Sequence, residues 1–197
     1  MRRLVCLAFA CAIAATATLG ADEATLDPMT RIRPVQSMAG RLVDEGMTKS
    51  ATFRRLVNRL QRSDVIVYVT IRPDMRASLG GSLRYVGRSA TDRFLLVSLN
   101  GQNSRQMLIA LLGHELQHAT EVADAPDVTS EPALGNLYRR IGIRMAPDAW
   151  DSVAAQQTGQ LVRAEVLQRP VETRLARHNP SREDALLAGG SIEATNR

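Results

Sequence analysis

Cys6 and Cys11 are the only cysteines of this chain, and both fall in an N-terminal stretch that reads as an export signal. With that stretch removed, the chain can form no disulfide and cannot offer a thiolate to a metal. Any metal would have to be met by His, Asp or Glu. Histidine is scarce as well, with three in 197 residues. Aromatic residues make up 4% against 45% hydrophobic residues, so the core must be built from Leu, Val, Ile and Ala. Lys49 is the sole lysine. Without Arg2 and Arg3, 23 basic residues face 20 acidic ones, and the net charge falls from +5 to +3. So small an excess, spread over arginines in helices and turns, makes no case for nucleic acid.

The signal has three parts. Met1, Arg2 and Arg3 are basic, residues 4–17 are apolar and Ala-rich, and residues 18–21 are small enough for cleavage. The apolar run is short for a membrane span, although an uncleaved anchor is the competing reading. The expected location is therefore periplasmic or extracellular, with no stable span after cleavage. The remaining chain divides into a flexible leader at 22–34, one domain at 35–170, and a polar, disordered tail at 171–197.

Within the domain, Val35, Met38, Leu42 and Val43 predict a first helix. Phe53, Leu56, Val57 and Leu60 predict a second, capped by Ser50. Residues 65–71 (VIVYVTI) are β-branched and apolar on both faces, as a central strand should be. Residues 82–86 alternate like a half-buried strand, and residues 93–99 (RFLLVSL) give a third. Asn103 or Ser104 opens a long helix ending near 123–126. Thr129 or Ser130 opens another, and Asp148 can cap a last one running to about Leu167. The expected fold is α+β: a small, mainly antiparallel three-stranded sheet with helices packed on it.

The long helix contains His114, Glu115 and His118 in the spacing His-Glu-x-x-His, amid Leu108, Ile109, Leu111, Leu112 and Leu116. Residues four apart lie above one another on one helix face, so the two imidazoles can grip one Zn²⁺ ion. Glu115 is placed to act on water as a general base. This motif on an apolar helix behind three strands resembles the zincin metallopeptidases, most closely the small gluzincins. The resemblance spans about residues 53–167 and is specific only over 114–118.

The resemblance implies a zinc-dependent hydrolase of peptide bonds, acting on a peptide or protein held along a sheet edge, either 82–86 or 93–99. It also implies a third ligand, an acid from a later helix. Asp151 comes first: Ala154 follows it as Ala follows the gluzincin Glu, although Asp stands where Glu is expected. Read as helical, it shares a face with Ala154, Ala155, Thr158 and Val162. An acid at the third position of a helix capped by Asp148 needs no metal, however. Glu165 is the runner-up, and Glu131 suits a helix start on its own account. Glu121, a turn beyond His118, reads as a partner orienting an imidazole, and Asp124 has a weaker version of the same role. The metzincin pattern fails, because Glu121 and Asp124 stand where its Gly and third His belong. His178 lies in the tail. Tyr138, Arg139 or Arg140 can donate to an oxyanion, with Tyr138 also set to pack on Leu134 and Ile141. The alternative to an enzyme is an exported binding or structural module of similar fold.

Overall fold

The computed structural model describes residues 31–146 and 149–168. The signal, most of the leader, Asp148 and the tail lie outside these residues. Strand β1 (Ile32–Pro34) is followed by helices α1 (Ser37–Lys49) and α2 (Ala51–Leu60). Strands β2 (Val65–Arg72), β3 (Gly81–Arg88) and β4 (Arg93–Asn100) come next, then α3 (Arg105–Ala123) and α4 (Glu131–Ile141). A short hairpin, β5 (Ile143–Ala146) and β6 (Ala149–Asp151), leads into α5 (Val153–Leu167). No helix among the described residues is long and apolar enough to cross a membrane.

The sheet corrects the expectation of a mainly antiparallel three-stranded one. It has four strands in the order β1-β2-β4-β3. The β1–β2 and β2–β4 pairs are parallel, and only β3–β4 is antiparallel. Two physical causes lie behind the difference. Ile32–Pro34, placed by the sequence reading in the leader, is too short to show a period, yet Ile32 is fully buried. Residues 73–80 are also long enough to carry the chain past the place that β4 later takes. Residues 93–99 are therefore interior, and β3 is the edge. Leu95, Val97 and Leu99 of β4 are fully buried, while the pattern of β3 alternates between exposed and half-buried.

Each joint has a local cause. Ser50 ends α1 and caps α2, accepting from Phe53 N at 2.9 Å. Gly46 lies flat on the Phe53 ring, where a β-carbon would meet ring carbons at 2.9 Å. Asn100, buried at the end of β4, donates to Arg76 O and Leu79 O and so shapes the approach to β3.

Helix α3 runs through the middle of the helical layer, touching β2, β3 and β4 as well as α1, α2 and α5. Leu108, Ile109, Leu112, Leu116, Ala119 and Val122 make its core face, all at most 2% exposed. Each buried side chain of this size contributes about 1.5–3 kcal/mol before entropy is counted. The far end of α3 is held by Arg93, whose Nη1 donates to Val122 O, Ala125 O and Val128 O. Its other nitrogens bond Asp64 at 2.7 and 2.8 Å. A buried cation thus satisfies carbonyls that the helix end leaves open.

Glycines let α5 lie close to α3. A β-carbon at Gly113 would stand 2.8 Å from Val162 Cγ2, and one at Gly159 would stand 3.2 Å from His114 Cβ. Gly113→Ala is expected to force the two helices apart and cost about 1–3 kcal/mol, the usual penalty for overpacking a core. Urea unfolding of the two proteins measures this.

Candidate metal centre

Helix α3 presents His114 and His118 one turn apart, with ring centroids 4.8 Å from each other. Facing them is Asp151. Its Oδ1 lies 3.2 Å from His114 Nε2 and 3.1 Å from His118 Nε2. The three donor atoms lie within 4.8 Å of one another. Bonds of about 2.0–2.1 Å at tetrahedral angles put neighbouring donors about 3.3 Å apart, so the two contacts to Asp151 have the spacing of a shared ion and the three groups together could hold a metal.

Asp151 does not sit on a helix, as the sequence reading had it. It is the last residue of β6, and Ser152 rather than Asp148 caps α5, accepting from Ala155 N at 3.0 Å. The correction removes the helix-start explanation for this acid. The hairpin brings the backbone itself close to α3, so the short Asp side chain reaches both imidazoles. Gly142 makes room for that approach: a β-carbon there would stand 3.0 Å from Asp151 O. Gln156 Nε2 donates to the second carboxylate oxygen at 3.2 Å.

The other acids separate cleanly. Glu121 Oε2 lies 2.9 Å from His118 Nδ1, and its Oε1 accepts from Ser152 Oγ at 2.6 Å. This contact fixes the ring so that Nε2 points at Asp151. Asp124 pairs instead with Arg59. Glu131 accepts from Tyr85 N on β3. Glu165 accepts from Ser50 and Thr52 at the start of α2, so neither Glu131 nor Glu165 joins the two imidazoles. Tyr138 donates to His118 O at 3.2 Å and packs edge-on against that ring. Arg139 bonds Asn136, and Arg140 pairs with Asp127.

Burial and charge set the protonation of the group. Burial pushes Glu115 up to about 7, and the charge of Asp151 works in the same direction. Burial alone would lower His118, but its hydrogen bonds to Asp151 and Glu121 outweigh that and raise it to about 9. Burial and the neighbouring His118 lower His114. Burial works to raise Asp151 and Glu121, yet the imidazole contacts hold both below the ordinary carboxylate range. Glu115 lies against the start of β3, where a β-carbon at Gly81 would come 2.5 Å from Oε1.

A cleft of about 400 Å³ opens beside His114 and Asp151, with Met107, Leu111, Met145 and Arg163 in its walls. A larger hollow of about 680 Å³ lies elsewhere, among Arg55, Arg59, Arg62 and Asp124, and contains none of these groups. Sequence reasoning missed Ser152, Gln156 and Gly81. Only Ser152 left a signal, as a capping residue just before an Ala-rich helix.

Glu121→Gln is expected to weaken zinc binding about 10–100-fold, as loss of an outer partner does, whereas Glu165→Gln should leave it unchanged. Chelator competition measures both. The pH response has a definite sign. Charged His118 stabilises the metal-free fold fully below its ordinary value of 6.5, and this contribution disappears as pH rises through about 9. Zinc uptake at pH 7 should therefore release about one proton from His118, read by calorimetry in buffers of different ionisation enthalpy. No protein-family model, no curated protein and no solved structure matches the chain.

Proposed function

We propose that this chain is an exported, zinc-dependent hydrolase of peptide bonds of the zincin type. The observation that carries the reading is the convergence of His114 Nε2, His118 Nε2 and Asp151 Oδ1 beside the buried carboxyl of Glu115. Two imidazoles and one carboxylate would hold the ion and leave a tetrahedral position free, as catalytic rather than structural sites do. When bound, zinc would supply a Lewis acid that polarises a carbonyl and acidifies water near neutral pH.

The protein's own groups perform the proton work. Glu115, buried beside the two imidazoles, can take a proton from water and return it to the leaving amine within one turnover. Gly81 allows that carboxylate to lie against the backbone of β3. Glu121 orients His118, and Tyr138, held protonated by burial, braces the turn of α3 that carries it. The free edge of β3 begins at Glu115 and offers a peptide main-chain hydrogen bonds. Export rests on the pattern of residues 1–21.

Glu115→Gln keeps the shape of the side chain and removes its proton chemistry. The variant is expected to bind zinc as the wild type does and to lose hydrolysis about 10²–10⁴-fold. Zinc content measured beside cleavage of a mixed peptide library tests this, and undiminished turnover by the zinc-loaded variant would refute the role given to Glu115.

A further inference from the structure

We infer that Glu131 ends the usable edge of β3 and reads the α-ammonium group of a peptide, so that cleavage falls within about four residues of a free N-terminus. The inference rests on the peptidase reading and names the substrate class for that site.

The pairing of β3 decides which of its groups are free. Asn100 N donates to Gly80 O, and the register pairs Ser82 with Ser98 and Arg84 with Leu96. Along an antiparallel pair, successive residues turn their main-chain groups to opposite edges. Gly81, Leu83 and Tyr85 therefore point theirs away from β4. Tyr85 bears this out, because its N–H donates to Glu131 Oε2 at 2.7 Å. At the other end, Gly81 rests on Glu115. From Gly81 to Tyr85 is about 13 Å of strand. A peptide added there has partners at Gly81 and Leu83 and is stopped at Tyr85. Just beyond, the register shifts between Tyr85 and Gly87, an irregularity that turns a strand away from further pairing.

Charge then selects the direction. Glu131 is exposed, and its second oxygen has no partner among the described residues. A peptide running antiparallel to β3 brings its N-terminus to Tyr85 and Glu131, whereas a parallel one would bring a carboxylate toward a carboxylate. The first is favoured, and the ammonium group takes the free oxygen. An acid over one N–H can also simply shield an edge strand. Shielding needs an acceptor but no charge, and Glu131→Gln separates the two roles.

The test uses the zinc-loaded full chain and peptides of one sequence, free or acetylated at the N-terminus and lengthened there by one to six residues. Wild type should favour free over acetylated peptides about fivefold in kcat/KM, the size of one exposed ion pair. Its cuts should stay within about four residues of the N-terminus as the peptide grows. Glu131→Gln should bring the ratio to about one at unchanged zinc content. Glu131→Ala, which frees Tyr85 N, should cut deeper. Equal rates on both peptides in the wild type, or cuts fixed by sequence whatever their distance from the N-terminus, would overturn the inference. A second readout needs no turnover: in zinc-loaded Glu115→Gln, a bound free peptide should slow hydrogen exchange at the Leu83 amide more than its acetylated twin. That result from a protein inactive as wild type would sink the peptidase reading and leave the N-terminus site standing. No slowing by either peptide would sink the site.

Discussion

The carboxylate of Asp151 stands between two imidazoles that a single helix face holds together, and much of the helical layer serves to put it there. Two titratable rings on a mostly buried helix are costly without a counter-charge. Asp151 supplies that charge at 3.1 and 3.2 Å. To reach α3, the chain needs close approach at three points. Gly113 admits Val162, Gly159 admits the His114 side chain, and Gly142 admits the backbone of Asp151. A methyl group at any of these places would force its neighbour to give way.

Three acids share this neighbourhood and are driven apart by their contacts. Asp151 and Glu121 touch the imidazoles and stay charged. Glu115 has no such partner, is buried at 4% exposure, and burial pushes it up to about 7. The proposed ligand and the proposed base are thus distinguished by partners rather than by residue type. The neutral His114 and the proton-bearing His118 follow from the same array, since burial lowers one and two carboxylate contacts raise the other.

Some of this was legible in the sequence because it is periodic. The four-residue step joining His114 to His118, and the three-residue step to Glu121, are properties of one helix and survive any arrangement of the rest. The apolar run 65–71 likewise announces a strand interior to its sheet, and β2 does lie between β1 and β4, although Tyr68 and Thr70 on its second face are only half-buried. What depends on distant contacts was not legible. Strand order is set by the route of residues 73–80 and by a three-residue strand with no pattern of its own. A cap at Asp148 would put Asp151 at the third helical position, which suits an acid; Ser152 takes the cap instead, and Asp151 joins a hairpin with β5. Arg93 looked like the first residue of a strand, and its work at the end of α3 lies across tertiary space.

The central claim is that two imidazoles and the Asp151 carboxylate hold one zinc ion with a position left for water. X-ray absorption at the zinc edge, on purified protein of measured metal content, tests it most directly. The expected result is one zinc per chain, bound by two imidazole nitrogens and further oxygen donors at about 2.0–2.1 Å, with an oxygen donor lost in Asp151→Ala. Zinc well below one per chain, a shell lacking two imidazoles, or a spectrum unchanged in Asp151→Ala would contradict it.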